Sequence, residues 1–437
     1  MFVDGVQTID RDERTPSSPG GSCGALTVDI APAAAQRSAM LSPWGERAGA
    51  MGVAAASLLA ASCINFVPPV TSQASTVEAA RTRTAAFADV TGDGADELLV
   101  AVTLPEAADA VVRMAPCGGG CLERRERVAP GDDILGLAPA DFDGDGATDV
   151  AVVTGTDLRV YFGGAATAGR PEGLVDDDFV VVAQPTFQPW SGAVADDFDG
   201  DGDADIAVSA SQLYEFVAGD GNGGFAAPVT VQILPARGSV GGLGSGDVDG
   251  DGTPEVLLVQ GGLGLSNIFG QVLAFRNGTT SIASYVEEGT LFSGVTAADV
   301  DGDGLDDVAV ERFIPPVGID FGDVRLLRST GTGFTGFGQG GALTTLPSRP
   351  VGMHLGDLDG DSKVDFVASD GTRLSWWHGV GNGSFAVRVD RVVSPAPGGL
   401  VFADVAAGGR PDLVVTHSAA PFAAVSYLTN ASQLPDD

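Results

Sequence analysis

The stretch DFDGDGATDVAVV, residues 141–153, decides the fold of this chain. Its first nine residues carry carboxylates at positions 1, 3, 5 and 9 and glycines at positions 4 and 6, and an apolar run follows at once. Glycine permits the tight backbone turns that such a loop needs, and a short β-branched run is typical of a buried strand. The stretch therefore predicts a loop that wraps around one point and leads directly into a strand.

This nonapeptide recurs seven times. The copies begin at Asp89, Asp141, Asp197, Asp247, Asp299, Asp357 and, in a decayed form (DVAAGGRPD), at Asp404. Each is followed by an apolar run, a second short run, a Gly-rich turn that often ends in Phe, and a fourth extended segment. Four antiparallel strands per period of roughly 50 residues are typical of a propeller blade. The chain is therefore predicted to be all-β, a seven-bladed β-propeller of four-stranded antiparallel blades.

The two ends of the chain predict how the ring closes. The last repeat stops after its third strand, whereas residues 66–71 (FVPPVT) match the fourth-strand sequence of residues 225–230 (FAAPVT). We therefore expect an N-terminal strand at 65-72 to complete blade seven, which would leave no open sheet edge. The propeller would then occupy residues 63-437.

The distribution of charged residues limits the possible partners and predicts bound metal ions. The chain has 58 acidic and 23 basic residues, a formal charge of −35, which excludes a nucleic-acid binder because such proteins need a basic face.

Four carboxylates in one short loop repel one another unless a cation lies between them. Hard oxygen ligands at alternate positions suit Ca²⁺, with the backbone carbonyl of position 7 as a further ligand. An EF-hand is excluded, since its twelfth ligand is here Val152 inside the apolar run.

With these motifs the chain resembles the FG-GAP/VCBS repeats of integrin α-subunit propellers and of secreted bacterial proteins. The resemblance covers about residues 64–432. It implies that the loop is a hairpin turn between the first two strands of a blade, that it holds Ca²⁺ structurally, and that partners bind on the opposite face. The implied ligands are Asp141, Asp143, Asp145, the Ala147 carbonyl and Asp149; Asp197, Asp199, Asp201, the Asp203 carbonyl and Asp205; Asp247, Asp249, Asp251, the Thr253 carbonyl and Glu255; Asp299, Asp301, Asp303, the Leu305 carbonyl and Asp307; and Asp357, Asp359, Asp361, the Lys363 carbonyl and Asp365.

The first and seventh copies depart from this pattern. Thr91 replaces a carboxylate in the first copy and leaves Asp89, Asp93 and Glu97 as ligands, so weaker binding is expected there. In the seventh copy Ala406 and Gly408 remove two ligands and Arg410 adds a positive charge. The prediction is five strong calcium sites, one weaker site and none in the seventh repeat.

The N-terminus is predicted to be a targeting segment. Residues 1–39 show no helical or strand period, so they are expected either to be disordered or to precede the true start of the protein, for which Met40 is the preferred initiator. From Arg47 a charged flank, a short apolar core and small residues precede Cys63, which resembles a bacterial lipoprotein signal. That resemblance implies cleavage before Cys63 and its lipidation, so 1-62 would be a leader. An ordinary secretory signal is the alternative, and either one exports the protein, lipid-anchored in the cell envelope or secreted.

Two further cysteines, Cys117 and Cys121, are separated by three glycines. Such a spacer lets the chain curl tightly, so a small disulfide at a hairpin tip is predicted, in keeping with an oxidising compartment. A zinc site would need two more ligands, and none is suggested nearby.

The sequence favours binding over catalysis. None of the three histidines, His354, His378 and His417, lies in a recognisable catalytic motif. Aromatic residues in expected loops, at Trp190 and within residues 311–323, suit binding of a protein or glycan, although Trp190 also suits packing between blades. The expected function is a non-catalytic, monomeric adhesion or interaction module, attached to a membrane only through its lipid anchor. The alternatives are a carbohydrate-active enzyme of the polysaccharide lyase type and a structural spacer without a ligand.

Overall fold

A computed structural model describes residues 81–103, 109–116, 122–128, 133–183, 190–233, 238–263, 268–314, 321–337, 342–346, 352–392, 397–403, 411–417 and 425–428. They belong to one compact unit, Leu59–Asp437. The predicted leader, Cys63, the strand at 65-72, Cys117, Cys121 and the seventh loop at 404–410 lie outside these residues. No helix in the described ranges is both long and apolar enough to cross a bilayer.

The described strands form seven antiparallel sheets. The first three are β1 (Arg81–Ala88), β2 (Glu97–Thr103), β3 (Asp109–Pro116) and β4 (Leu122–Val128); β5 (Ile134–Ala140), β6 (Asp149–Thr154), β7 (Leu158–Tyr161) and β8 (Phe179–Ala183); and β9 (Trp190–Asp196), β10 (Asp205–Ala210), β11 (Leu213–Val217) and β12 (Val229–Gln232). The fourth is β13 (Ser239–Gly246), β14 (Glu255–Leu263), β15 (Ile268–Arg276) and β16 (Thr280–Glu288).

The remaining three sheets follow the same order. The fifth is β17 (Leu291–Ala298), β18 (Asp307–Ile314), β19 (Phe321–Ser329) and β20 (Phe334–Gly336), and β21 (Ala342–Leu346) also pairs with β19. The sixth is β22 (Gly352–Gly356), β23 (Asp365–Ser369), β24 (Arg373–Gly379) and β25 (Phe385–Val392). The last has three strands, β26 (Pro397–Ala403), β27 (Asp412–His417) and β28 (Val425–Leu428).

The first strands of successive sheets line the centre of the molecule. Each of them contacts the first strand of the next sheet, and β26 of the last sheet contacts β1 of the first. The prediction of an all-β propeller is therefore confirmed, with six complete blades and a three-stranded seventh sheet. The strand that would complete the seventh blade is outside the described residues, so closure by 65-72 stays a prediction.

Apolar clusters between neighbouring blades hold the sheets face to face. The second strands β6 and β10 are buried along their whole length, as expected for short runs covered on both faces. Between the third and fourth blades Tyr214 and Phe275 pack edge to face, with ring centroids 5.1 Å apart. The buried Tyr214 hydroxyl donates a 2.6 Å hydrogen bond to the Gly278 carbonyl, which joins the two blades at that point.

Two expectations about surface loops are wrong. Trp190 begins strand β9, is only 3% exposed and packs in the cluster between the second and third blades, so packing explains it. Most of residues 311–323 is not a loop, because Glu311 pairs with Val324 and Phe313 with Gly322 in the β18–β19 ladder.

The acidic loops contact one another around one end of the propeller. The Thr148 N–H donates to the Asp89 carbonyl at 2.8 Å, and the Asp306 N–H donates to the Asp247 carbonyl at 2.8 Å. Each of these bonds joins the loop of one blade to the loop of the next. Gly250 approaches the same neighbour so closely that a Cβ placed on it would lie 2.7 Å from Leu305 Cδ2. The loops therefore link adjacent blades as well as turning the chain.

Replacing Gly250 should test this link, and Gly252 offers a matched control. Both glycines have positive φ, +80° and +87°, but nothing lies within 4 Å of a Cβ on Gly252. Gly252→Ala should cost about 1 to 2 kcal/mol for its left-handed backbone. Gly250→Ala should cost about 0.5 to 1.5 kcal/mol more because the end of the half-buried Leu305 side chain must turn aside to admit the methyl group. Urea unfolding of the two variants measures the difference, and equal losses would contradict the contact between loops.

Candidate metal centres

Each of the six acidic nonapeptides that the structure describes lies in the turn between the first and second strands of its blade. In the second blade Asp141 follows the end of β5 and Asp149 begins β6. The glycines at positions 4 and 6, Gly144 and Gly146, have φ of +74° and +88°, which explains why glycine is needed at both places. The loop therefore turns sharply twice and directs its carboxylates toward one another.

The position-1 and position-9 carboxylates organise the loop through backbone hydrogen bonds. Asp141 accepts from the N–H groups of Gly144 and Gly146 at 2.8 and 3.0 Å. The fully buried Asp149 accepts from Phe142 N–H at 2.8 Å and from Gly163 N–H, beyond strand β7, at 2.7 Å. Position 9 thus fastens the loop to the third strand of its own blade.

The third to sixth loops repeat this arrangement. The position-1 residues Asp197, Asp247, Asp299 and Asp357 each accept two backbone N–H bonds at 2.7 to 3.0 Å. The position-9 residues Asp205, Glu255, Asp307 and Asp365 are fully buried at the start of the second strand. The predicted loop geometry is therefore repeated in five successive blades, with Ser362 taking the left-handed position of glycine in the sixth (φ +64°).

The carboxylate oxygens lie close enough to share one ion. Within each of five groups the ligand atoms lie within 4.8 Å of one another: Asp141, Asp143 and Asp149; Asp197, Asp199 and Asp205; Asp247, Asp249 and Asp251; Asp299, Asp301 and Asp303; and Asp359, Asp365 and His378. Two oxygens that both bind one Ca²⁺ at about 2.3 to 2.6 Å can be at most about 5 Å apart. Four of these groups are made only of carboxylates, the ligands that Ca²⁺ prefers.

Two buried oxygens add a specific reason for a cation. Asp301 Oδ1 and Glu255 Oε1 are buried and accept no hydrogen bond. A buried carboxylate oxygen without a donor is costly unless a cation compensates it. These residues therefore fit the predicted Ca²⁺, which would supply positive charge and fix the loop without taking part in a reaction.

The predicted position-7 ligands take part in the loop through their backbone. The N–H groups of Ala147, Asp203, Thr253, Leu305 and Lys363 donate to the position-5 carboxylates Asp145, Asp201, Asp251, Asp303 and Asp361 at 2.8 to 3.1 Å. Each of these bonds spans two residues, an Asx turn of the kind that holds a tight loop. Positions 5 and 7 are therefore rigidly joined in every one of these loops.

Burial raises the pKa of the position-9 carboxyls. Desolvation is the main cause, and it raises the pKa of Asp149, Asp205 and Asp307 from 3.8 to about 7. Backbone N–H donors oppose the shift, and neighbouring loop aspartates add to it. These carboxyls are therefore the groups that most need a cation to ionise at neutral pH.

The raised pKa values predict how calcium and pH act together. In EGTA these carboxyl groups bind protons more tightly in the folded state than in the unfolded state. Their contribution to stability is present below about pH 4 and lost as the pH rises through 7. Calcium requires the ionised form, so its stabilisation grows with pH. The gap between the melting temperatures in calcium and in EGTA should widen from pH 5 to pH 8, and a constant gap measured by calorimetry would contradict this.

The first loop differs in a way that agrees with the weaker site expected there. Glu97 Oε2 accepts from Val90 N–H at 3.2 Å, while Glu97 Oε1 accepts from the buried Arg113 guanidinium at 2.8 Å. Desolvation still raises the pKa of Glu97 to about 7, although Arg113 opposes the shift. Thr91 lies 3.4 Å from both Asp89 and Glu97 and supplies a hydroxyl where the other loops have a carboxylate.

The sixth loop contains a histidine whose position the sequence did not reveal. His378 Nδ1 lies 3.0 Å from Asp359 Oδ2 and 3.3 Å from Asp365 Oδ1. Lys363 Nζ reaches Asp361 Oδ2 at 2.6 Å. Residue 378 ends a strand that pairs with the one Asp365 begins, so the strand register, not the loop motif, brings it there.

Two arginines also reach into acidic loops from a neighbouring strand, and the sequence did not predict either position. Arg276 forms ion pairs with Asp249 and with Asp251, the latter at 3.3 Å. Arg328 lies 2.8 Å from both Asp301 and Asp303. Each follows its loop by more than 20 residues, so no local motif could identify it.

The chain was compared with protein families, curated sequences and solved structures. A model of the FG-GAP-like repeat matches residues 197–258 and 357–415, which include the third, fourth, sixth and seventh copies of the nonapeptide. No curated protein sequence matches the chain significantly. Among solved structures, the Dos1 propeller is similar over 80% of this chain and 77% of its own, at 12% identity and a TM-score of 0.46.

A second similar structure is a lectin of Agrocybe aegerita, described as recognising non-reducing terminal N-acetylglucosamine. The similarity covers 81% of this chain and 86% of the lectin, at 17% identity and a TM-score of 0.45. The repeated loops, the blade architecture and the matched segments lead to one conclusion: the chain is a β-propeller that contains FG-GAP-like repeats at residues 197–258 and 357–415.

Proposed function

We propose that this protein is an exported, calcium-stabilised propeller that binds a protein or a glycan without catalysis. The observation that carries the proposal is the series of acidic loops at one end of the blades. Those of the second, third, fifth and sixth blades are hydrogen-bonded to the backbone at or just beyond the end of their own third strand. Ca²⁺ in these loops would make that end rigid. The opposite end, where strands such as β18 and β19 are connected, is then the surface proposed for the partner.

The described histidines have surroundings that suit structural roles. His354 stacks on Phe402 with ring centroids 4.4 Å apart, and burial lowers its pKa to about 4. His378 lies among the carboxylates of the sixth loop. A general acid or base needs a pKa near the working pH, and the pKa of His354 lies well below neutrality.

A glycan and polysaccharide binding screen of the full chain tests the proposal. It should be run with calcium and again with EGTA, with folding checked by circular dichroism under each condition. Calcium-dependent binding to one glycan class would support a binding module. Calcium-dependent binding to one envelope protein in a parallel pull-down would support it equally. A folded protein that binds neither would overturn this proposal and favour a structural spacer.

A second candidate function, a carbohydrate-active enzyme, is favoured by one cluster far from the acidic loops. Arg312 forms ion pairs with Glu287 and Asp323, and the Tyr285 hydroxyl lies 3.2 Å from Glu287 Oε2. These side chains gather near the ends of β16, β18 and β19 that are remote from the loops. Paired carboxylates beside a tyrosine are groups that glycan cleavage could use.

Cleavage assays separate this candidate from the first. Any polymer bound in the screen should be incubated with the wild type and with Glu287→Gln and Asp323→Asn. Cleavage that is lost in both variants, with binding retained, would establish the enzyme. Binding without cleavage in the wild type would support the non-catalytic module, with the cluster acting as a link between the fourth and fifth blades.

Export is proposed from the sequence of residues 47–63. If Cys63 is lipidated, the protein should partition into detergent in a phase-separation assay and Cys63→Ser should remain in the aqueous phase. Release of the wild type into the medium would instead support an ordinary secretory signal. Retention of both forms in the cytosol would overturn export.

A further inference from the structure

Strand register places one residue of each blade beside the position-9 carboxylate. In the fourth blade Val256 pairs with Phe275, so Glu255 and Arg276 are neighbours at the end of the ladder. In the fifth blade Val308 pairs with Leu327, which brings Arg328 beside Asp307. The identity of this residue decides what charge enters the acidic loop from the third strand.

Arginine at this place reaches the oxygens that would bind calcium. Arg276 forms an ion pair with Asp249, and its Nε lies 3.3 Å from Asp251 Oδ2 and 3.8 Å from Glu255 Oε1. Arg328 bridges Asp301 and Asp303, with Nε and Nη2 each 2.8 Å from a carboxylate oxygen. In both loops one guanidinium therefore contacts at least two of the implied ligands.

The second and third blades have no such cation in this place. The corresponding residues are Phe162 and Ala218, since Val150 pairs with Tyr161 and Ile206 with Val217. In the described part of the chain no basic side chain lies within 4 Å of a carboxylate of either loop. The nearest arginine of the second blade, Arg170, lines a pocket with Asp143 and Asp145, and its charge opposes the rise in the pKa of Asp143. Its hydrogen bonds, however, go to Asp178 and to the Phe162 and Gly163 carbonyls, so it does not enter the loop as Arg276 and Arg328 do.

We propose that Arg276 and Arg328 are internal counter-cations that compete with Ca²⁺, so that the propeller has two classes of calcium site. The inference rests on the proposed calcium binding. An ion among these oxygens would lie within a few ångströms of the guanidinium, and like charges at that separation repel. The loops of the second and third blades bind calcium tightly, whereas those of the fourth and fifth bind it only as the arginine withdraws.

The exposure of the two side chains makes withdrawal feasible. Arg276 is 42% exposed and Arg328 is 46% exposed, while Asp249 and Asp301 beneath them are 2% and 9% exposed. Each guanidinium can therefore move toward solvent without opening the core. When calcium is scarce, the arginine supplies one positive charge to a loop that would otherwise hold unpaired carboxylates.

Calcium isotherms of the full chain test the two classes. The wild type, the double variant Arg276→Met and Arg328→Met, and the control Arg388→Met should be compared by flow dialysis with radioactive calcium. Arg388 pairs with Asp390 on an outer strand, so its variant removes one positive charge away from the loops. We expect two equivalents of calcium in the double variant to bind about tenfold more tightly, a coupling of ordinary size between sites.

Melting temperatures give a readout that a merely structural arginine would not produce. The double variant should melt below the wild type in EGTA, because the loops lose their internal cation, and at or above the wild type in saturating calcium. Lower melting in both conditions, or an isotherm superimposable on that of the wild type, would overturn the inference. If the double variant does not fold, Arg328→Met alone should make one equivalent of calcium bind more tightly. An isotherm unchanged from that of the wild type overturns the inference equally.

The outcomes also separate this inference from the proposed calcium binding. If the wild type and all variants bind no calcium at millimolar concentrations, the proposed function itself is wrong. If the wild type binds several equivalents and the variants bind them with unchanged affinity, calcium binding stands and only the role of the arginines is wrong.

Discussion

Removing calcium with EGTA at pH 7.5 should lower the melting temperature of this propeller by at least about 5 °C. Each tight site saturated at 100 times its dissociation constant stabilises the folded state by about 2.7 kcal/mol. The loops of the second and third blades, which lack an internal arginine, would therefore contribute about 5 kcal/mol together. For a chain of this size each kcal/mol corresponds to about 1 °C.

The charge of the chain makes the effect larger. At −35 the protein repels itself, and the acidic loops concentrate that charge at one end. Differential scanning calorimetry in calcium and in EGTA measures the shift, with EGTA saturated by excess calcium as the control for the chelator. Repeating the scans at higher salt separates specific binding from screening, because salt weakens general repulsion but does not replace a bound ion. Identical melting curves in calcium and in EGTA would refute calcium stabilisation.

Asp205→Asn should be among the most damaging single substitutions. Asp205 is fully buried, and it accepts from the N–H groups of Phe198, Asp199 and Gly219 at 3.1, 3.2 and 3.0 Å. An amide keeps one acceptor oxygen but turns an NH₂ group toward these donors, which costs about 1 to 3 kcal/mol. The variant also loses a calcium ligand, so in calcium the loss of stability should exceed that cost.

Asp203→Asn is the matched control for Asp205→Asn. It removes the same charge from the same loop, but position 203 is expected to bind calcium through its backbone carbonyl, which the substitution keeps. Asp205→Asn should reduce the number of bound calcium ions by one and lose more stability in calcium than in EGTA. Asp203→Asn should keep the full number of ions with a small change in melting temperature. Equal effects of the two variants would contradict the special role of position 9.

The sequence alone predicts the loops and the strands that follow them. The interactions that shape a loop are local: Asp141 bonds to N–H groups three and five residues away, and Gly144 supplies the positive φ between them. The apolar run beginning at Val150 is buried on both faces, so composition alone identifies it as a strand. Seven copies of one local signal then determine the blade architecture, because each sheet must bury its faces against the next.

The tertiary structure decides which side chains meet across strands and blades. No feature of the sequence shows whether Trp190 is a loop residue or a buried one. Its burial follows from the packing of the second blade against the third. Arg276 and Arg328 enter acidic loops because turn length and register place them beside Glu255 and Asp307. A shift of one residue in register would turn each arginine to the other face of its sheet.

For the acidic loops, the sequence predicts the metal ligands but not the surroundings of each loop. Their carboxylates, spaced at alternate positions, determine by themselves that each loop suits a hard divalent cation. The sequence does not determine how strongly each loop holds that cation, because a counter-charge such as Arg276 comes from a third strand. Nor does it reveal that Gly250 meets Leu305 of the next blade, since that approach depends on how two sheets pack. Local backbone chemistry defines each loop, whereas the long-range contacts between strands and blades define its surroundings.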